Sequence, residues 1–350
     1  LSGGRVYVTT AAPGGDDSLS LRVICLKAGD GAKVWDVEAL HRKGSELPSI
    51  HTKNSQASPT PIVRDVKIYA HFGHLGTAAL DLAGNVLWRQ EALKYIPVHG
   101  NGGSPALVDG LLVFSCDAAS DPFIAALDAA TGEVRWRKPR EVVAKKTFSF
   151  CTPLVIRANH REEVILPGSG YVGSYDPKTG DEFWRARYGE GYSVVPRPVF
   201  ADGLIFLSSG FDRAVLYAIN PEGASGDSTG AHIAWSTPKG APHTPSTVVV
   251  GDELYFISDG GVATCADART GKVHWSERLP GDFSASPVAA EGRIYFQSEA
   301  GVGYVVKAAK TFELLAKNDL RERSLASCAV ADSALYVRTQ SHIWRIGAAR

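Results

Sequence analysis

Residues 126–136 read Ala126-Leu-Asp-Ala-Ala-Thr-Gly-Glu-Val-Arg-Trp136. An apolar run enters an Asp, Thr-Gly turns the chain, and a second short run ends on Trp. The Asp carboxylate can accept from the turn N–H groups and Gly supplies a positive φ, so the segment predicts a strand, a tight turn and a strand. It recurs along the chain. Cys25 to Trp35, Ala79 to Trp88, Ser174 to Trp184, Ala218-Ile-Asn220 running on to Trp235, and Cys265 to Trp275 carry the same pattern. Successive Trp residues are 53, 48, 48, 51 and 40 positions apart. A seventh copy, Val306 to Ala316, has Ala316 in the place of Trp. Trp35, Trp88, Trp136, Trp184, Trp235 and Trp275, with the turn residues Asp81, Asp128, Asp176 and Asp267, are therefore assigned to architecture.

Outward from each copy lies a further strand pair. It opens on Ser58-Pro59, Ser104-Pro105, Thr152-Pro153, Pro196-Arg-Pro198, Thr244-Pro245 or Ser286-Pro287. A Gly-containing turn follows in most copies, as at Asp109-Gly110, Asp202-Gly203 and Glu291-Gly292, and then an apolar, aromatic-rich strand. Four strands, A to D, every 40–53 residues is the period of a β-propeller. The predicted fold is all-β: an eight-bladed β-propeller of four-stranded antiparallel blades, forming one domain over 1–350. Seven blades is the alternative. The chain opens at a B strand (Arg5 to Thr9) and closes on A, B and C strands (Leu325–Val330, Ala334–Arg338, His342–Ile346). Residues upstream of Leu1 are expected to complete the ring.

The repeat Ala-x-Asp-x-x-Thr-Gly-x-x-x-Trp resembles that of the pyrroloquinoline-quinone (PQQ)-like propeller superfamily, over essentially the whole chain. That superfamily includes quinoprotein alcohol dehydrogenases and the outer-membrane lipoprotein that assists β-barrel assembly. The likeness is greatest to its bacterial extracytoplasmic members, so it implies a fold and a periplasmic or secreted location rather than an activity. The quinone-binding members use a vicinal Cys-Cys disulfide and a calcium site. Here no Cys-Cys pair and no Asp-x-Asp-x-Asp-Gly spacing occurs. No cofactor and no metal are assigned, and PQQ-dependent oxidation is kept as a second alternative.

Lys+Arg and Asp+Glu are 37 each, which gives no basic footprint for nucleic acid. No apolar run reaches the ~18–20 residues of a membrane helix. Cys25, Cys116, Cys151, Cys265 and Cys328 sit in apolar, strand-like runs without a metal or redox spacing, and are expected to be buried free thiols.

Function is expected on the D-to-A and B-to-C loops, which share one face of such a fold. The candidate ligand-binding residues are His51, Lys53, Asn54, His71, His74, His99, Asn101, Phe148, Tyr192, Arg197, Arg213, His243 and Arg323. The imidazoles could ligate a metal or move protons near neutral pH, or simply bond loop carbonyls. Lys53, Arg197, Arg213 and Arg323 suit an anionic ligand, or pair with neighbours such as Asp212 and Asp117. Phe72, Phe148, Tyr192 and Phe211 could stack on sugars or plug their loops. The long C-to-D connection from Pro221 to His232 is expected to be a flexible tip. No complete catalytic constellation is legible, so the leading expectation is a non-catalytic scaffold for a protein or glycan partner. A carbohydrate-active enzyme using His, Arg and Tyr is the alternative.

Overall fold

The structure is a computed structural model that describes residues 1–15, 17–47 and 49–347. It consists of antiparallel sheets in sequence order. The first holds Arg5–Gly14, Ser18–Lys27 and Lys33–Lys43. The second holds Ile62–Arg64, Lys67–His71, Thr77–Asp81 and Val86–Gln90. The third holds Ala106–Val108, Leu111–Cys116, Phe123–Asp128 and Val134–Pro139. The fourth is Leu154–Ala158, Arg161–Gly168, Tyr171–Tyr175 and Glu182–Arg187. The fifth, sixth and seventh repeat the four-strand order between Val199 and Asp319, and the eighth holds Ala329–Ala331, Ala334–Arg338 and Ile343–Gly347. Eight sheets make this an eight-bladed β-propeller and set aside the seven-bladed alternative. Among the described residues no helix is long and apolar enough to cross a membrane.

Two compact units divide the contacts. One comprises Leu1–Arg157, Glu162–Ser169 and Gly173–Phe183; the other comprises Ala158–Arg161, Gly170–Val172 and Trp184–Arg350. Within each, the core lies between consecutive sheets. In the first unit Leu21, Val23 and Cys25 pack with Ile68, Ala70 and Leu80, and Leu112 and Phe114 pack with Tyr69 and Ala79. In the second, Tyr255 and Ile257 pack with Ile294, Phe296 and Val306. Apolar residues thus face both neighbouring sheets, which is why the B and C strands read as nearly continuous apolar runs.

The repeated motif works as its residues predict, and it also joins one sheet to the next. Asp128 Oδ1 accepts from the N–H groups of Ala130 and Thr131 at 2.8 and 3.0 Å, and Asp81 and Asp267 cap their turns likewise. On the facing strands Trp stands opposite a small residue: Ala79 to Trp88, Ala126 to Trp136, Ala218 to Trp235 and Cys265 to Trp275. Each indole then reaches the turn of the following repeat. Trp35 Nε1 donates to the Leu82 carbonyl (3.1 Å), Trp88 to Ala129 (3.2 Å), Trp136 to Pro177 (3.0 Å) and Trp235 to Ala268 (2.9 Å). The turn glycine lies flat on that ring. A Cβ on Gly132 would sit 2.5 Å from Trp88, and φ there is +79°. Gly is therefore needed twice, for the left-handed backbone and for the close approach.

Three expectations are corrected. The seventh copy starts one residue earlier, because Val305 faces Ala316 and its turn is one residue longer. Lys307 takes the Asp position there and pairs with Glu313 at 2.8 Å instead of capping the turn. Cys151 and Cys328 lie just outside strands, and Cys328 is half-buried while the other four thiols are buried. The Pro221–His232 connection is not a free tip. Gly226–Asp227 pairs in parallel with Trp184–Arg185 and adds a fifth strand to the fourth sheet.

Candidate functional site

The candidates fall into two clusters, one in each unit. In the first unit they stand on three consecutive D-to-A loops, 44–61, 91–105 and 140–153. Apart from the 3-10 turn Gly44–Glu46 these loops form no helix or strand among the described residues, and their polar and glycine residues bond one another rather than a ladder. The His51 N–H donates to the His99 carbonyl at 3.2 Å, and Asn54 Nδ2 donates to the same oxygen at 2.8 Å. His99 itself is at φ +65°, followed by Gly100 at +86°. A Cβ on Gly100 would meet Ile50 Cγ2 at 2.8 Å, so the loops close tightly. The rings follow from this. His51 and His99 are 5.7 Å apart edge-on, and His99 stands 5.6 Å from Phe148 and 6.4 Å from Phe150. His51 and Lys53 are exposed, Asn54 and Asn101 half-buried, and Phe148 buried against this group.

His51 Nδ1 accepts from the Lys53 N–H at 3.2 Å. Its imidazole is therefore used to shape the loop. Asn101 accepts from the Tyr95 hydroxyl at 3.2 Å and donates to the Gly103 carbonyl at 3.2 Å. Around this polar centre the same loops expose apolar side chains: Ile50 at 39%, Ile96 at 73% and Val143 at 77% of their full area. The first sheet borders them, and its strands of 10, 10 and 11 residues are the longest of the eight. At the tip of that extended hairpin lies an open cavity of about 730 Å³ whose lining includes Asp17, Ser20, Glu38, His41 and Lys43. Ser20 donates to Glu38 at 2.5 Å and His41 faces the same carboxylate at 3.4 Å. Glu38 stands between the hydroxyl and the imidazole, so His41 is not placed as a base for Ser20.

His71 and His74 were expected on a ligand-facing loop, and the structure buries both. His71 ends the strand Lys67–His71, and its Nδ1 bonds Thr77 Oγ1 at 2.8 Å. His74 lies in the 3-10 turn Gly73–Leu75 beneath Asn101. Burial holds His71 down to about 3 and His74 to about 4, so both are neutral. Phe72 is buried and acts as a plug. Asp117, considered as a partner for Arg213, pairs with Arg140 at 2.7 Å, and both side chains are sealed from water. Burial pushes the Asp117 carboxyl up to about 6, against the pull of that guanidinium.

In the second unit Tyr192, Phe211 and His243 meet. Ring centroids are 5.9 Å apart for Tyr192 and Phe211, and 5.8 Å for Phe211 and His243. His243 Nδ1 is 3.5 Å from Asp259 Oδ2, and this carboxylate raises the imidazole's pKa above 6.5. Tyr192 Oη bonds Asp212 Oδ1 at 3.3 Å. Arg197, Arg213 and Arg323 are exposed. The Arg197 N–H donates to Ser246 Oγ at 2.9 Å, and Glu322, next to Arg323, holds His342 at 2.8 Å. Among the described residues no group of three or more His, Cys, Asp and Glu is placed to hold a metal ion.

Several residues escape a reading of the sequence. Phe150, Asp259 and Arg140 are separated from their partners by 51, 16 and 23 positions and carry no motif. The hydroxyls of the Ser/Thr-Pro pairs do carry one. Ser104 Oγ accepts from the Thr60 N–H at 2.8 Å and Thr152 Oγ1 from the Ser104 N–H at 2.9 Å. Ser286 Oγ accepts in the same way from the Ser246 N–H, and Ser327 Oγ, which precedes Cys328 where the other copies have Pro, from the Ser286 N–H, both at 2.9 Å. The recurrence of a hydroxyl before Pro is the signal for this inter-loop staple.

The sequence profile of the family described as outer membrane protein assembly factor BamB matches residues 168–343. Subunit 1 of the cytochrome c methanol dehydrogenase of Methylobacterium organophilum is 29% identical in an alignment covering 36% of this chain and 22% of that protein. The same subunit of Paracoccus denitrificans is 28% identical over the same shares. The alignment thus takes in about a fifth of the length of these relatives. Among solved structures, BamB from Moraxella catarrhalis superposes with a TM-score of 0.66 at 14% identity, covering 96% of this chain and 93% of that one. A europium-containing methanol dehydrogenase superposes at 0.65 with 13% identity, covering 96% and 81%. At such identities the likeness is one of fold.

Proposed function

Because the chain belongs to the BamB family of PQQ-like β-propellers, we propose that it is a non-catalytic scaffold that holds a protein partner on the loop surface of its first unit. The observation that carries this reading is the exposure of Ile50, Ile96 and Val143 on three loops stitched to one another. Apolar side chains held in water on a rigid base gain when a partner covers them, and such patches mark interaction sites. Loops whose backbone is already fixed lose little freedom on binding, so more of the contact energy is kept. The exposed imidazoles of His51 and His99 add hydrogen-bonding groups to the exposed apolar side chains of the same loops, and protein interfaces combine both. The extended hairpin of the first sheet gives this surface a wall. The family description names an assembly factor of the outer membrane, which supports a protein of the cell envelope as partner and a periplasmic location for this chain.

Quinone-dependent oxidation belongs to the dehydrogenases and is not carried over. A photo-reactive residue at position 96 or 143, activated in the native cell, is expected to give one discrete protein adduct. The same residue at Val66, exposed in the turn between Arg64 and Lys67 of the same unit, is expected to give none. Equal adducts at all three positions, or saturable quinone binding by the purified protein, would count against the scaffold reading.

A further inference from the structure

In the second unit the chain around Phe211 holds one aromatic ring in solvent by construction. Gly210 is at φ +85°, and a Cβ there would lie 3.0 Å from the Val194 backbone. The Phe211 N–H donates to the Tyr192 carbonyl at 2.7 Å, an isolated antiparallel bridge that clamps the two segments. Asp212 follows at φ +73°, a left-handed turn conformation that Asp tolerates and that Asp65, Asp109 and Asp202 also adopt. The result is a Phe that is 53% exposed while its ring is flanked by Tyr192 at 63° and His243 at 55°.

The rim of this ring is polar on two sides. Asp212 offers carboxylate oxygens beside the Tyr192 hydroxyl. His243, 38% exposed, turns Nδ1 toward Asp259, whose Oδ2 also accepts from the N–H groups of His243 (2.7 Å) and Thr244 (3.3 Å). That second-layer carboxylate fixes the imidazole orientation and leaves Nε2 as its other bonding atom.

We propose that this patch is a saccharide-binding site, in which the apolar face of a neutral pyranose stacks on Phe211 and its hydroxyls bond Asp212 and His243. The chemistry favours this ligand class. A flat aromatic surface meets sugar C–H groups, and the rim supplies acceptors and a donor within one ring's width. Asp212 and the exposed Arg213 are adjacent and opposite in sign, so the site carries no strong net pull on an ion. The site shares no residue with the proposed protein surface of the first unit, so either reading can fail alone.

The test titrates the purified protein with chitotriose, cellotriose, xylotriose and mannotriose, followed by calorimetry and by the ring signals of His243. At least one trisaccharide is expected to saturate, with a Kd on the order of 1 mM or below. Phe211→Ala and Asp212→Gly, the latter suited to the left-handed backbone at this position, should each weaken binding about tenfold or more, with thermal unfolding close to that of the wild type, while Phe211→Trp should retain it. No saturation up to roughly 10 mM, or saturation that Phe211→Ala leaves unchanged, would overturn the proposal. An adduct to a protein from a photo-reactive residue at 211, without sugar binding, would also overturn it.

Discussion

Two imidazoles are sealed in the first unit, and their contribution to stability is set by pH. His74 has no hydrogen-bond partner for either ring nitrogen among the described residues, and His71 has none for Nε2. Tyr95, Phe114 and Thr77 surround them, with the charges of Lys94 and Arg42 further depressing His74. Both pKa values are lowered in the fold, so the unfolded chain binds the extra protons. Stability is therefore full above pH 6.5 and is lost as pH falls toward about 4 and then about 3. Thermal unfolding between pH 7 and 4 should show this fall, and His74→Leu should flatten it while leaving stability at pH 7 equal or higher. The Asp117–Arg140 pair has the opposite character. Asp117→Leu removes the carboxylate that faces the buried Arg140 guanidinium and should lower stability by about 3–5 kcal/mol in denaturant unfolding. None of this is visible in the residues alone. His71-Phe-Gly-His74 is polar and contains Gly, so it reads as a loop. Only the packing of Gly73 against Asn101 turns it inward.

At the scale of the element, the strand–turn–strand unit is legible because its physics is local. The turn Asp, the left-handed Gly and the Trp four to five residues on are neighbours in sequence. What Trp does is less local, since the indoles of Trp35, Trp88, Trp136, Trp235 and Trp275 donate to carbonyls 33–47 positions away. Around Trp184 the following hairpin is built differently. The next repeat has an enlarged hairpin, and its Gly226–Asp227 strand lies on Trp184–Arg185. Ser228 N–H to the Arg185 carbonyl (2.8 Å) and Arg187 Nε to Asp227 (3.1 Å) hold it there. Trp184 is fully buried and Trp136 and Trp275 are buried, whereas Trp35, Trp88 and Trp235 are half-buried. A two-residue strand containing Gly has no β propensity, which is why the sequence suggests a flexible tip. Trp184→Ala should cost about 3–5 kcal/mol in denaturant unfolding. Shortening 223–229 to a tight turn should shift the Trp184 emission to longer wavelength. Unshifted emission would mean that the hairpin does not cover the ring.

At the scale of the whole molecule, eight sheets follow from the repeat, and the charge balance of 37 against 37 leaves no general attraction for polyanions. Specificity has to come from local surfaces. The sequence locates the D-to-A loops correctly as the polar segments, because the Ser/Thr-Pro pairs mark where each ends. It does not separate the exposed Ile50, Ile96 and Val143 from core residues, since exposure of an apolar side chain depends on the neighbouring loops. Those three residues carry the scaffold account, and replacing them should leave the folds of the sheets intact. The decisive measurement is the affinity of the protein captured at position 96 for the wild-type chain and for an Ile96→Asp, Val143→Asp double variant of equal thermal stability. The account predicts a loss of at least about a hundredfold, the effect of burying two charges at the centre of an interface. Equal affinity for both chains would contradict it.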